Sequence, residues 1–283
     1  MKLSVILIVR DEAHCLERCL RSVGAIADEI VVLDSGSTDG TVQIARSFGA
    51  QVESTDWPGY GAQKNRALDR ARGEWVLSID ADEHATPELA ASIRAAVESP
   101  ERTVNGYFIR FLATWCGKPV RFGDWGRKRH LRLFRRTFAR FTEVAVHERI
   151  ACEPPLGTLD GYMIHDSVVS EDEARAKTRR YAELGAEILR VRGGGGFGAA
   201  LVHAAWAFAR GFLLKAGFLD GATGWKIALE VTRRTWLRYA LACEPAVVAK
   251  GLYRQRRRSP PRHDLPRFLA RASLFIALML SAG

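Results

Sequence analysis

The sequence predicts an α/β protein: a mostly parallel sheet flanked by helices, followed by an apolar helical C-terminal region. Three observations predict it. Over the first 100 residues, short apolar runs alternate with segments at helical spacing, the βαβ order of a parallel sheet. The polar peculiarities of that half all follow predicted strands: Arg10-Asp-Glu12, Asp34 to Asp39, and Asp80 to Glu83. Ligands in such sheets sit beyond the carboxyl ends of the strands. From Ser170 onward the pattern turns helical and unusually aromatic.

Leu3 to Val9 is an apolar, β-branched run and predicts a buried strand. Glu12 to Val23 carries apolar residues at 13, 16, 20 and 23, one face of a helix. Glu29 to Leu33 is a second strand, Asp34 to Gly40 a turn, Thr41 to Phe48 a helix, and Ala50 to Glu53 a third strand. Ser37 or Asp39 is placed to cap the Thr41 helix. Tyr60 to Ala71 reads as helix, closed by Gly73. Glu74 to Ile79 is a fourth strand that runs into Asp80-Ala-Asp-Glu83. Pro87 opens the next helix, where a missing N–H costs little, and Ser99-Pro100 ends it. Gly106 to Phe111, Leu131 to Phe134 and Val144 to Ile150 are strand-like. Asp172 to Val191, Phe197 to Phe212, Gly224 to Tyr239 and Pro245 to Tyr253 are helical. The glycines at 193–196 follow a helix, so they read as a flexible hinge and not a phosphate cradle. The expected organisation is an α/β unit over 1–170, with a division at residue 100, and a helical region over 171–283.

The chain has 283 residues, of which 47% are apolar and 26% charged, so a sizeable core is expected. The net charge of +10 is unevenly split. Residues 1–100 hold ten Lys or Arg against sixteen Asp or Glu, a poor footprint for nucleic acid. The basic remainder suits phosphates of another kind, such as anionic lipid headgroups or a phosphorylated sugar. One basic cluster is Arg127, Lys128, Arg129, Arg132, Arg135 and Arg136. Another spans Lys250 to Arg271 and adjoins the apolar run Phe268 to Leu280, which suits a membrane interface. No stretch reaches the roughly 18 uninterrupted apolar residues of a spanning helix, and no signal peptide is read at the N-terminus. Five scattered cysteines predict a reducing compartment and packing roles. The chain is expected to be cytoplasmic, resting on the inner face of the membrane.

The site residues follow from chemistry at the strand ends. Asp80 and Asp82 flank a turn that lets both carboxylates approach one ion, and hard oxygen ligands suit Mg²⁺ or Mn²⁺. Asp34 ends the second strand, where a carboxylate meets a ribose or base, or else closes its own turn. Lys64 and Asn65 lie on the helix after Gly59-Tyr-Gly61 and reach either the same edge or solvent. Glu148 is a candidate general base for a sugar hydroxyl, and His165 would complete a site made with Asp82. A dinucleotide fold would need a glycine-rich turn after the first strand; Arg-Asp-Glu-Ala-His stands there instead.

Leu3 to Val9 with Asp11-Glu12, Asp34-Ser-Gly-Ser-Thr-Asp-Gly-Thr41, Lys64-Asn65, Gly73-Glu-Trp75 and Asp80-Ala-Asp-Glu83 together resemble the family 2 glycosyltransferases of the Rossmann-like GT-A fold. Arg132-Leu-Phe-Arg-Arg136, Val146-His-Glu148, His165-Asp-Ser167 and Gly217 to Gly224 resemble the bacterial lipopolysaccharide core β-1,4-glucosyltransferase subgroup. The resemblance implies a UDP-sugar donor, inversion at the anomeric carbon, and a divalent Mg²⁺ or Mn²⁺ ion. It places Asp11, Asp34, Lys64, Asn65 and Asp80 on the nucleotide sugar, Asp82 and His165 on the ion, and Glu148 as base. Arg132, Arg135 and Arg136 would meet the acceptor. Many relatives have Asn-Glu where this chain has Asp11-Glu12. Glucose and an inner-core heptose are the implied sugars. Transfer to a polyprenyl-phosphate or another envelope glycan is the rival chemistry, and a non-enzymatic membrane scaffold is the rival class.

Overall fold

The computed structural model describes residues 1–99, 103–143 and 148–243. In chain order the first half comprises β1 (Leu3–Val9), α1 (Ala13–Val23), β2 (Glu29–Asp34), α2 (Thr41–Ser47), β3 (Gln51–Ser54), α3 (Tyr60–Arg70), β4 (Trp75–Ser78), β5 (Glu83–Ala85) and α4 (Pro87–Glu98). β1 has no polar face, so both its faces must be covered. Leu3, Val5, Leu7 and Val9 pack with Cys15, Leu16, Cys19 and Leu20 of α1 and with Leu89 and Ile93 of α4. Ile6 packs in the opposite layer, with Ala67 and Leu68 of α3 and with Phe134. Cys15 and Cys19 are therefore core residues, the packing role expected of them.

The second half adds β6 (Gly106–Trp115), β7 (Lys118–Val120), β8 (Lys128–Arg135), β9 (Ala139–Phe141), β10 (Ile150–Cys152) and β11 (Leu156–Val168). The main sheet runs β3-β2-β1-β4-β8-β6-β11-β5, with β7 on β6; β9 and β10 form a separate pair. β1 is parallel to β2 and β4, β2 to β3, and β6 to β11. β8 is antiparallel to both β4 and β6, and β5 and β7 are antiparallel to β11 and β6. The sheet is therefore mixed, not mostly parallel. The parallel order holds while helices make the crossovers; β6 to β8 connect without a helix, and a short return reverses direction.

β11 is the longest strand and does not show in the sequence pattern. Gly161 interrupts it at φ +85°, and a Cβ there would lie 2.3 Å from the Leu89 nitrogen of α4. The pairing register with β6 shifts across this point. Of the expected strand at 144–150, residues 144–147 lie outside the described residues, as do the Pro245–Tyr253 helix, the Lys250–Arg271 cluster and the Phe268–Leu280 run.

Three further α-helices follow among the described residues: α5 (Glu171–Val191), α6 (Phe197–Phe208), which continues as a π-helical turn over Ala209–Leu214, and α7 (Gly221–Leu241). They pack on the sheet through a core of their own, in which Trp115, Val120 and Val168 meet Ala174, Ala207, Ile227 and Val231. Gly193, Gly195 and Gly196 all take positive φ, and the Gly196 N–H donates to the Tyr239 carbonyl. The glycine run is a turn bonded to α7, where the sequence suggested a flexible hinge.

Glu29 opens β2 with its side chain fully buried. Its carboxylate accepts from Ser4 Oγ (2.6 Å), Arg72 N (2.9 Å) and Arg72 Nε (2.7 Å). Burial alone would raise its pKa; these donors outweigh it and hold the group below the ordinary carboxylate value. The stability it contributes is thus present above the unfolded pKa and lost as pH falls through the folded one. Glu29→Gln is expected to cost about 2 kcal/mol at pH 7 in urea unfolding and to shallow the loss of stability below pH 4.5.

Candidate active site

β4 ends at Ser78, and Asp80 follows at the carboxyl edge of the sheet. Asp80 Oδ1 lies 3.0 Å from Lys64 Nζ on α3, and Oδ2 lies 2.9 Å from Arg132 Nη2 on β8. Both cations are largely buried and each holds a second carboxylate. Lys64 reaches Glu148 at 2.9 Å and Arg132 reaches Glu83 at 2.6 Å. Burial alone would raise the Asp80 pKa; the charges of Arg132 and Lys64 outweigh it and hold the carboxyl well below the usual range. Glu83 is the converse. Burial, opposed by Arg132 and assisted by Asp80, raises its pKa above the ordinary carboxylate value. Asp80 enters this structure as an ion-paired carboxylate clamped from two elements.

Asp82 is half-exposed and meets a different partner. β5 pairs with β11 in a register that sets Glu83 opposite His165, and Asp166 N donates to the Asp82 carbonyl at 2.9 Å. His165 Nε2 consequently lies 3.0 Å from Asp82 Oδ2, and Ser167 Oγ lies 3.1 Å from His165 Nδ1. Burial lowers the imidazole pKa, but the hydrogen bond and charge of Asp82 prevail and raise it. One carboxylate oxygen and one imidazole nitrogen thus share a proton at a point open to solvent. That is a donor set a divalent Mn²⁺ or Mg²⁺ can take in the proton's place, and an outer hydrogen bond on Nδ1 orients such a ligand. Glu12, His14 and Cys15 form a further close group of donor atoms on the same side of the sheet. Burial, then the Glu12 hydrogen bond and charge, drive the Cys15 thiol pKa far up, so this sulfur is a poor ligand.

The other predicted residues divide. Asp34 is buried and accepts from Gly36 N (3.1 Å) and Ser37 N (3.1 Å), closing its own turn. Asp11 takes a left-handed φ of 55°, and its Oδ1 accepts from Thr38 N at 2.7 Å, tying the first two strand-end loops together. Asn65 turns away from the edge. Its Nδ2 donates to the Phe141 carbonyl (3.0 Å) and its Oδ1 accepts from Phe141 N (2.9 Å), so both ends of the amide hold β9. Arg135 and Arg136 are a correction. Antiparallel β8 sets Arg135 opposite Trp75, at the start of β4, so both arginines lie at the amino edge of the sheet. There Arg135 pairs with Glu74 and stacks on Trp75, and Arg136 donates to the Gly73 carbonyl. Only Arg132 of the three reaches the Asp80 turn.

From Asp82 and His165 a cleft of about 460 Å³ opens between the β6–β8–β11 face and helices α5 and α7. It contains residues that no motif singled out: Trp115, Trp125, Lys177, Tyr181, Glu230 and Arg234. Lys128 and His130 of β8 also line it. Burial first, and then the charges of Arg132 and Lys128, push His130 down to about 4. The available signal was β6 ending in Trp115 and the aromatic weight of the helices; which face they share is a tertiary fact.

The family model for glycosyl transferase family 2 matches residues 4–147. An uncharacterized glycosyltransferase of Rickettsia bellii is 30% identical over 274 residues, 90% of this chain and 92% of that protein. This chain is a family 2 glycosyltransferase. The lipopolysaccharide core biosynthesis glycosyltransferase LpsC of Rhizobium meliloti is 30% identical over 66% of this chain and 71% of its own length. Glucosyl-3-phosphoglycerate synthase of Mycobacterium tuberculosis, solved with Mn²⁺, UDP and glucosyl-3-phosphoglycerate, aligns at 26% identity and a TM-score of 0.34; the match covers 40% of this chain and 44% of that one. The family match contains Asp80, Asp82, Lys64 and Arg132. His165 and the helical wall of the cleft lie beyond it.

Arg132→Met would leave buried Glu83 unpaired and Asp80 with one cation. It is expected to cost about 3 kcal/mol in urea unfolding. A cost below about 1 kcal/mol would contradict the clamp.

Proposed function

We propose that the chain is an inverting transferase that moves a hexose from a UDP-sugar to a hydroxyl of a cell-envelope saccharide. The observation that carries it is the Asp82–His165 pair, standing at the carboxyl edge of the sheet where the large cleft begins. In this reading residues 1–100 bind the nucleotide sugar, with Asp11 and Asp34 shaping the loops against uridine. Residues 101–170 form the acceptor side, and 171–283 are the helical region. Asp82 and His165 would hold Mn²⁺ or Mg²⁺, which when bound supplies Lewis-acid neutralisation of the departing diphosphate. Lys64 and Arg132 hold Asp80 and Glu148 in place at the sheet edge where that diphosphate would lie. Glu148 is the candidate base. Its Oε1 lies 2.9 Å from Lys64 Nζ, which fixes the carboxylate beside Asp80. Glucose transfer to an inner-core heptose of lipopolysaccharide is the finer form of the reading, supported by the name of the Rhizobium relative. A polyprenyl-phosphate acceptor is its rival.

The same reading places the enzyme at a membrane surface. Phe197–Leu214 is helical, long and apolar enough to cross a membrane, and only 22% of it is buried. Its apolar residues are interrupted by His203 and Arg210, so no continuous run marks it in the sequence. Phe197, Leu201, Trp206 and Leu214 are each more than half exposed. An apolar, aromatic helix face of this kind suits the headgroup interface, with the basic charge of the C-terminal half attracted to anionic lipid.

Three measurements test these statements. UDP release is scored from UDP-glucose, UDP-galactose and UDP-N-acetylglucosamine with Mn²⁺, with and without truncated lipopolysaccharide core or polyprenyl phosphate. One donor is expected to respond to one acceptor and to lose turnover in EDTA; no release from any donor would refute the assignment. Asp82→Ala is expected to lower kcat at least ~10²-fold. Its stability should change within about 0.5 kcal/mol, since the side chain is half-exposed. In flotation with vesicles containing phosphatidylglycerol, Trp206→Ser with Leu214→Ser is expected to reduce the bound fraction severalfold; unchanged flotation would remove the membrane role from this face.

A further inference from the structure

The cleft that begins at Asp82 carries charge and hydrogen-bonding capacity that nothing among the described residues uses. Arg234 of α7 is half-buried, and neither its side chain nor that of Lys128 of β8 makes an ion pair or hydrogen bond among the described residues. Burial, and the nearby charges of Arg238 and Arg210, lower the Arg234 pKa; Asp124 opposes them. Asp124 is itself engaged by Arg210 (3.0 Å) and Lys215 (3.2 Å). Lys177, the other cation of the cleft, is committed to Glu173 (2.7 Å) and the Ser167 carbonyl (3.0 Å). Positive charge is therefore left over at Arg234 and Lys128.

Two buried polar atoms of residues lining the same cleft also lack partners among the described residues: the indole N–H of Trp115, a residue only 4% exposed, has no acceptor, and Glu230 Oε2 has no donor, while Glu230 Oε1 lies 3.9 Å from Arg233. An unmade buried hydrogen bond costs about 1–3 kcal/mol, so such atoms point to a bound group that completes them. A sugar hydroxyl can do both, accepting from the indole and donating to the carboxylate. The Trp125 ring, 5.5 Å from that of Trp115, offers an apolar platform. Arg234, half-buried and unpaired among the described residues, is satisfied by an anion, to which the exposed Lys128 can add its charge.

We propose that this wall is a subsite for an anionic substituent, phosphate or carboxylate, on the acceptor saccharide, with Arg234 and Lys128 as its counter-charges and Trp115 and Glu230 on a neighbouring hydroxyl. The proposal rests on the reading that the cleft holds the acceptor. It replaces Arg135 and Arg136, which the fold sends to the opposite edge, by residues more than one hundred positions apart that converge on the cleft.

The test separates subsite from activity. Protein labelled with ¹⁵N-tryptophan, saturated with UDP and Mg²⁺, is titrated with glucose 6-phosphate, glucuronate and glucose while the Trp115 and Trp125 indole signals are followed. At least one of the two acids is expected to shift them at a concentration ~10-fold below that of glucose, and Arg234→Gln with Lys128→Gln is expected to abolish the difference. The variant's unchanged UDP affinity and melting temperature show that it is folded. Which acid acts distinguishes phosphate from carboxylate. Neither acid surpassing glucose in the parent, or an unchanged preference in the folded variant, overturns the proposal. In turnover, the variant is expected to raise KM for phosphorylated core oligosaccharide ~10-fold, with kcat and UDP release to water unaltered and no change for the phosphatase-treated oligosaccharide. Equal losses on both oligosaccharides would overturn it as well. A parent that releases no UDP from any donor refutes the function above, while the titration still decides the subsite.

Discussion

The two-sided clamp on Asp80 is the interaction on which the rest of the site depends. Lys64 comes from a helix of the first half and Arg132 from a strand of the second, so the carboxylate joins the two halves at the sheet edge. Each cation also holds a glutamate, and the five groups form one alternating chain from Glu148 through Lys64, Asp80 and Arg132 to Glu83. Charges removed from water are tolerated only when paired in this manner, and removal of one member exposes the others to the full desolvation cost. The consequence for chemistry is a division of labour. Asp80 is engaged by protein cations, and Asp82, turned to solvent beside His165, has a donor oxygen to offer an ion.

The second constraint is the antiparallel pairing of β5 with β11. It carries His165 across 83 residues of sequence to Asp82, and it makes the residues just past β4 part of the sheet rather than a loose loop. Ser167 and Asp166, on the same strand, fix the imidazole and the Asp82 backbone. Asp166 in turn lies 2.5 Å from Arg18 of α1, so the first helix, the Asp82 turn and β11 are locked together. A site built on paired strands is held more closely than one built on loops.

Much of this is legible in the sequence. The first four strands and their helices announce themselves through apolar periodicity, and the strand-end rule gathers Asp34, Asp80 and Asp82 from the residue order alone. Local reasoning fails where a second element decides the outcome. Asn65 sits next to Lys64 on the same helix, yet points to Phe141, because neighbouring helical residues face different sides. Arg132 and Arg135 share a motif, but Arg135 ends β8 opposite Trp75 while Arg132 lies within the strand, and only the pairing direction of β8 tells which of them meets Asp80. β11 is hidden because its glycines and polar residues break the alternation that marks a strand; partners on both sides supply its stability. The wall with Trp115, Glu230 and Arg234 is equally hidden, since its members meet only when the helices dock.

The central claim is that Asp82 and His165, and not the clamped Asp80, present the ion site. The most direct measurement is electron spin echo envelope modulation on Mn²⁺ bound with UDP to the intact protein. The account predicts nitrogen modulation from a directly coordinated imidazole that disappears in His165→Gln. A Mn²⁺–UDP complex without imidazole modulation in the parent protein would contradict it.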